Sequence, residues 1–370
     1  MTAVEQVALP DGRSVWMVFG HALARQVLGD TRLSNDTGAM GDKAPLAGLP
    51  ATVRDIVAQD MLNNDPPQHT RLRKLVAHRF TGRSTSAMRP VVKEIAERLL
   101  DDMDAPGEID LVVEYARPLP TLVLGSMIGI PDADCPDVQR WSDVFVSEVL
   151  LASDSLLDAT KSLLDYISEL ARRKRREPGE DLISELVTAK LSDDELSATV
   201  FVLLIAGQTA TTQLIAQALY LLLTNPEQLD AVRADMMLLG GAVDEALRLN
   251  PPLRMTAFRM ARESLLLGAT EVPAGEIVLC SLPSANTDPA KFVDRHRFDV
   301  RRASNQHLSF GFGIHRCLGA SLARMEAETA IGALLRRHPE LRITTPVEEL
   351  PWVEMAIARK LMSLPVHLSS

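Results

Sequence analysis

Residues 310–319 read Phe-Gly-Phe-Gly-Ile-His-Arg-Cys-Leu-Gly, and an amphipathic run from Leu318 to Arg337 follows, ending before His338-Pro339. Cys317 thus stands at the start of a helix, where unpaired N–H groups and the positive dipole end favour an anion. A thiolate, the form of cysteine that binds metals, is the species stabilised there. Gly311, Gly313 and Gly319 permit tight turns and a close approach of backbone to a flat ligand. N–H groups aimed at a ligating sulfur would tune it, and His315 and Arg316 add positive charge beside it. A phosphate-cradling loop is excluded, because no Lys-Ser/Thr pair follows the glycines. A buried structural cysteine beside a turn is the alternative that the loop alone leaves open.

Outward from this loop, the chain has 370 residues, 46% of them hydrophobic, enough to bury a sizeable core. The net charge of −10 argues against nucleic-acid binding. Cys135, Cys280 and Cys317 are few and far apart, which points to a reducing compartment without disulfides. No signal-peptide pattern opens the sequence, so a cytoplasmic location is expected. From Leu196 to Pro226 there is no charged residue, long enough to span a bilayer. Gln208, Thr209, Thr211, Thr212, Gln213 and Gln217 crowd its middle and would be costly against lipid. A long helix inside a globular protein is therefore expected, and no membrane.

Ser192-Asp193-Asp194-Glu195 is a capping-box pattern that starts this helix, and Asn225-Pro226 ends it. Its length is about 45 Å at 1.5 Å per residue. Residues 13–35 read as a strand followed by a helix. Residues 88–105 and 155–176 carry helical spacing; the second ends in the basic run Arg172–Arg176, read as a solvated helix end that complements the dipole. β-prone runs lie at 264–280, with a turn at Pro273-Ala274-Gly275, and at 361–368. The expectation is one domain over residues 1–370, mostly α with minor β, with no internal repeat or linker.

Two further segments carry chemistry. In residues 244–252, Asp-Glu-Ala-Leu-Arg-Leu-Asn-Pro-Pro, Glu245 and Arg248 share a helix face. In residues 65–74, Asp-Pro-Pro-Gln-His-Thr-Arg-Leu-Arg-Lys, Pro66-Pro67 fits a helix start and His69 and Arg73 lie one turn apart. Together with the 310–319 loop, which resembles the signature Phe-Gly-x-Gly-x-His-x-Cys-x-Gly, these segments resemble the cytochrome P450 family of soluble bacterial type. The likeness runs over nearly the whole chain, from the strand and helix near residue 15 to Leu361–Leu368.

That resemblance implies the P450 fold, with the long helix crossing above a haem and the Cys317 loop beneath it. It implies haem b with Cys317 as proximal iron ligand, a thiolate that favours O–O cleavage. It makes His69, Arg73, Arg259 and His315 the partners of the haem propionates, and puts Ala206, Gly207, Phe310, Gly311 and Gly319 against the cofactor. Glu245 and Arg248 match the family's Glu-x-x-Arg element, with Arg302 as the third member of a buried network. The implied activity is a monooxygenase taking two electrons from NAD(P)H through a ferredoxin or flavodoxin that docks on the Cys317 side. The implied substrate is a small organic molecule, a natural-product intermediate. Candidate substrate contacts are Leu203, Ala206, Gln208, Ala210, Met255, Thr256, Ala356 and Ile357.

The sequence departs from the family at Leu203–Thr212, Leu-Leu-Ile-Ala-Gly-Gln-Thr-Ala-Thr-Thr. Aligned without a gap, Thr209 takes the family's acid position and Ala210 its threonine position. The acid–alcohol pair that delivers protons is missing. The expected donors are a substrate hydroxyl or amide, water held by Gln208, or Thr211 if a π-bulge brings it round. The same departure motivates a second reading, oxidative coupling, ring closure or desaturation without oxygen insertion. A third, a haem sensor or carrier, lacks any appended output domain.

Overall fold

The uncharged run becomes one helix because its start is specified locally. Ser192 accepts from the Glu195 N–H and Glu195 reaches back to the Ser192 N–H, satisfying donors that a helix start otherwise leaves unpaired. The helix spans Asp193–Thr224. The computed structural model describes residues 3–103, 108–150, 153–355 and 357–368. In chain order its helices are α1 His21–Gly29, α2 Thr37–Met40, α3 Ala51–Val57, α4 Gln68–Ala77, α5 Gly82–Asp102, α6 Pro118–Ile128 and α7 Cys135–Glu148. They continue with α8 Asp154–Arg176, α9 Leu182–Leu186, α10 Asp193–Thr224, α11 Pro226–Ala234, α12 Leu239–Leu249, α13 Leu282–Asn286 and α14 Ala320–Arg337.

The strands are β1 Val4–Ala8, β2 Ser14–Val18, β3 Leu33–Ser34, β4 Glu108–Asp110, β5 Arg259–Ala261 and β6 Leu265–Leu267. The rest are β7 Thr270–Val272, β8 Ile277–Cys280, β9 Arg342–Ile343, β10 Trp352–Glu354, β11 Arg359–Leu361 and β12 Pro365–His367. The largest sheet has the order β1-β2-β8-β5-β3, with β2 parallel to β8 at Trp16↔Val278. β4, β12 and β9 form a second sheet, and β10–β11 and β6–β7 form hairpins. The expectation of a mostly helical fold with a minor sheet holds.

α10 runs through the middle, packed on α6, α7, α8, α12 and α14. It is the helix among the described residues long and apolar enough to cross a membrane, yet most of its apolar window is buried in protein. Its central glutamines have internal partners. Gln213 donates to the Leu361 carbonyl (3.1 Å) and accepts from the Leu361 N–H (2.7 Å), and Gln217 donates to the Arg359 carbonyl (3.0 Å). The polar groups that made the run look unlike a membrane span tie α10 to β11. At Gly207 a Cβ would fall 2.6 Å from Leu124 Cδ1, so this glycine lets α6 and α10 approach closely.

The basic end of α8 is solvent-facing and paired as a helix terminus should be, with Lys174 on Asp181 at 2.5 Å and Arg172 on Glu169 at 2.5 Å.

Candidate functional site

Beneath α10 the 310–319 loop folds back on itself. The Cys317 N–H donates to the Phe310 carbonyl (2.8 Å) and the Arg316 N–H to the Gly313 carbonyl (3.1 Å). Gly313 holds φ at 78°, and a Cβ there would lie 2.6 Å from the Leu28 carbonyl oxygen, so only glycine fits against α1. Cys317 precedes Gly319, the N-cap of α14. Phe310 is held from behind by the Arg324 guanidinium, 4.6 Å from the ring centre, a cation–π contact.

A cavity of about 480 Å³ lies between this loop and α10. Its floor includes Phe310, Gly311, His315, Cys317 and Gly319; its roof includes Leu203, Ala206, Gly207, Thr209, Ala210 and Thr211; its side includes Met255, Thr256 and Ile357. Cys317 is therefore exposed to an internal chamber while protein surrounds it on its other sides. Ala356 lies outside the described residues.

Burial pushes the Cys317 thiol above its usual range, although the Gly319 N–H and the guanidiniums of Arg73, Arg316 and Arg324 pull it down. A coordinated metal ion deprotonates such a thiol outright.

The expected anchors gather at one end of the chamber. The His69 and His315 rings sit 4.4 Å apart. Neither His69 nitrogen, nor His315 Nε2, nor Arg259 Nε has a hydrogen-bond partner of normal geometry, though all are buried; the Ile314 backbone gives His69 a weak hydrogen-bond contribution. Burial, with His69 and Arg259 alongside, pushes His315 down to about 3. Burial also lowers Arg259 and Arg73. Buried donors without acceptors are costly, and carboxylates entering here would satisfy them. Arg73 differs, since its Nη2 already donates to the Arg316 carbonyl (2.7 Å) and braces the loop. His69 stands behind His315 rather than on the cavity wall. No Cβ contact closes the space over Gly319, which leaves a flat cradle beside the sulfur. The donor set and the cradle fit a haem with its sulfur ligand at Cys317.

The expected buried network is present. Glu245 and Arg248 have fully buried side chains, and Arg302 is 12% exposed. Arg248 Nε and Nη2 donate to Glu245 at 3.0 and 2.7 Å, Arg302 Nε donates to the same carboxylate, and Asn305 adds a bond at 3.3 Å. Arg248 also holds the carbonyls of Asn286 (3.3 Å), Arg295 (2.6 Å) and Arg297 (3.0 Å), fixing the chain that leads into the Cys317 loop.

Above the cavity the ungapped reading of the long helix holds, and the place expected for Gln208 does not. α10 is a continuous α-helix through Leu203–Thr212, so no π-bulge rotates Thr211. Gln208 does not reach the chamber. It lies on the row Leu204, Gln208, Thr212, which faces away, and its carboxamide oxygen accepts from Thr121 Oγ1 on α6 (3.4 Å). Water held by Gln208 is thereby removed as a donor, because one residue past Gly207 is a rotation of about 100°.

Two residues were not anticipated. Thr209 Oγ1 donates to Asp143 Oδ1 of α7 (3.3 Å), so a carboxylate does stand at the acid position, supplied by another helix. Arg117 holds the other oxygen of Asp143 at 2.7 and 3.0 Å. Lys360 of β11 is only 6% exposed and lies on the cavity wall. Neither sits in a local motif; both read as ordinary charges along the chain.

The cytochrome P450 family model matches residues 123–351. The cytochrome P450 monooxygenase PikC of Streptomyces venezuelae is 42% identical over 370 residues, covering 98% of this chain and 87% of that protein. A myxobacterial cytochrome P450 solved with myristic acid superposes with a TM-score of 0.93 at 35% identity, covering 99% of this chain and 93% of the other. The P450 enzyme CxnD, for C–S bond formation in chuangxinmycin biosynthesis, superposes at 0.87 with 34% identity, covering 96% and 89%. With the Cys317 loop, the Glu245 network and the chamber between loop and α10, these likenesses show that the chain belongs to the cytochrome P450 family.

Proposed function

We propose that the chain, acting as one domain in the cytoplasm, binds haem b through Cys317 and oxidises a natural-product intermediate as a monooxygenase. The observation that carries this is the chamber with a cysteine sulfur and a glycine cradle on its floor and unpartnered buried donors at its edge. Haem b fits because the sequence has no Cys-x-x-Cys-His for covalent attachment. Once bound, the haem supplies the oxygen-activating chemistry, with the thiolate favouring O–O cleavage.

The protein's own groups do the rest. His315, Arg259 and, through His315, His69 meet the propionates. Leu203, Ala206, Ala210, Met255 and Ile357 enclose and orient the substrate in a largely apolar space that excludes water. Thr256 Oγ1 accepts from the Cys280 N–H (3.0 Å), which fixes the side chain on the wall and leaves its O–H as a donor. Protons come from a substrate group in the chamber or along Asp143 and the Thr209 hydroxyl. Electrons come from NAD(P)H through a ferredoxin or flavodoxin. It approaches the outer side of the Cys317 loop, where Arg316 is exposed.

The test is spectroscopic. The reduced carbon-monoxide complex of the purified protein should show the red-shifted Soret band of thiolate ligation. Cys317→Ala should abolish that band; its survival at full intensity would mean that another residue ligates iron.

A second reading, oxidative coupling, ring closure or desaturation, is favoured by the Thr209-Ala210 departure and by the likeness to CxnD. Product mass separates the two: gain of an oxygen atom against loss of two hydrogens.

A further inference from the structure

The chamber is apolar over most of its upper wall, yet one cation is built into it. Lys360 lies on β11 between two residues fixed to α10, Arg359 through Gln217 (3.0 Å) and Leu361 through both groups of Gln213 (3.1 and 2.7 Å). Side chains alternate along a strand, so Lys360 is turned the opposite way from those neighbours and cannot swing with the backbone. Burying a lysine is unfavourable unless its three N–H donors find acceptors. Lys360 makes one long bond, to Ser147 Oγ at 3.5 Å. Among the described residues it forms no ion pair. The carboxylate whose field reaches it is Asp143, and Arg117 opposes that field. Asp143 is already engaged, by Arg117 at 2.7 and 3.0 Å and by Thr209 at 3.3 Å. This corner of the chamber therefore holds the cations Arg117 and Lys360 against the single carboxylate Asp143.

We propose that Lys360 is a specificity-determining residue that receives a carboxylate of the substrate, so that the enzyme acts on organic acids whose apolar body fills the chamber. A ligand carboxylate accepts the donors that Ser147 leaves free and balances the corner's charge. The wall beside it, Val146 and Val149 of the α7 end together with Ile357 and Ala358, takes the adjoining apolar part. The inference rests on the proposed function for the site of reaction, not for the binding itself.

The test is equilibrium binding to haem-loaded protein by isothermal titration calorimetry, with straight-chain and aryl-alkyl carboxylic acids against their primary amides. The carbon-monoxide band, read on the same samples, reports separately whether the haem assignment holds. A charge-assisted hydrogen bond at such a site is worth a preference of about 10-fold or more for acid over amide. Lys360→Met should remove that preference by weakening acid binding far more than amide binding, and Lys360→Arg should retain it. If no acid in the series outbinds its amide in the wild type, or if the preference survives in Lys360→Met, the assignment is wrong. Should Lys360→Met fail to fold, Lys360→Gln takes its place, and survival of the preference in that variant overturns the assignment in the same way.

Discussion

Replacing Arg248 by alanine is the sharpest test of what holds the haem side of the molecule together. The guanidinium makes two charge-assisted bonds to Glu245, at 3.0 and 2.7 Å. It also makes three bonds to the carbonyls of Asn286, Arg295 and Arg297. All of its side chain is buried. Removing one partner of a buried pair costs about 3–5 kcal/mol, because the other charge stays behind without compensation. Glu245 would retain Arg302 and Asn305, which holds the carboxylate's share to the lower end. The three carbonyls add to it, each at about 1–3 kcal/mol if water does not enter.

Against a total stability of about 5–15 kcal/mol, the pair's share of about 3–5 kcal/mol and the three carbonyls' about 3–9 kcal/mol together remove most of the margin. Arg248→Ala should give mostly apoprotein or aggregate. Arg302→Ala should cost less, about 1–3 kcal/mol, because its side chain reaches solvent and Glu245 keeps Arg248. The double variant Glu245→Leu/Arg248→Met should recover part of the Arg248→Ala loss, since the buried carboxylate is gone and Arg302, which loses it as a partner, keeps the Val293 carbonyl (2.8 Å) and some contact with solvent. The assay is urea denaturation followed by circular dichroism, with haem per polypeptide measured on the same preparations. Full haem content and wild-type stability in Arg248→Ala would refute the reasoning, as would an Arg302→Ala variant less stable than Arg248→Ala.

Two more outcomes can be stated briefly. Thr211→Ala should leave turnover within a few-fold of wild type, because α10 has no π-turn to bring that hydroxyl into the missing position; a loss of about 100-fold with hydrogen peroxide released in place of product would overturn this. Glu326 of α14 is buried, with burial alone raising it well above the carboxylate range, so the folded state binds its proton more tightly than the unfolded state does. Stability then falls as pH rises from the unfolded value near 4.5 towards the folded one, and Glu326→Gln should be the more stable protein by a margin in melting temperature that widens between pH 5 and pH 8. A margin independent of pH would show that the carboxyl is hydrated or paired.

What could be read from the sequence was local. The Ser192 capping box, the prolines before α4, the Cys317 loop and the Glu245–Arg248 spacing each specify their structure within a few residues, and each is found as expected. The anchors were legible only through the resemblance, since nothing in Arg259 or His69 alone marks a haem contact. Gln208 was misread although the information was present. On a helix the rows i, i+4 share a face, and Gln208 shares its row with Leu204 and Thr212 rather than with Leu203 and Ala210. Asp143 and Lys360 could not have been found this way. They reach the chamber from α7 and β11, separated from Thr209 by 66 residues in one case and about 150 in the other, and their local sequences carry no signal beyond a charge.

The departure at Thr209-Ala210 therefore means less, and something different, than a missing acid. A carboxylate has to meet three conditions to stand in for it: contact with the chamber, contact with solvent, and a neighbour that keeps it charged or hydrogen-bonded. Asp143 touches the chamber through the Thr209 hydroxyl, has 30% of its side chain exposed, and is held by Arg117. A hydroxyl can accept a proton on one side while giving one up on the other, so Thr209 can link the two without being an acid. Gln208 is hydrogen-bonded to Thr121 but reaches neither the chamber nor solvent, and among the described residues Thr211 has no carboxylate behind it. Among the described residues the same carboxylate is the one whose field reaches Lys360, so the group that would supply protons and the group that would receive the substrate share one electrostatic corner. Neutralising Asp143 would remove the negative charge that partly offsets Lys360 and Arg117, and an acid ligand would then meet two uncompensated cations. On the proposed roles, proton supply and substrate charge would be coupled through a single residue that lies outside every motif of the sequence.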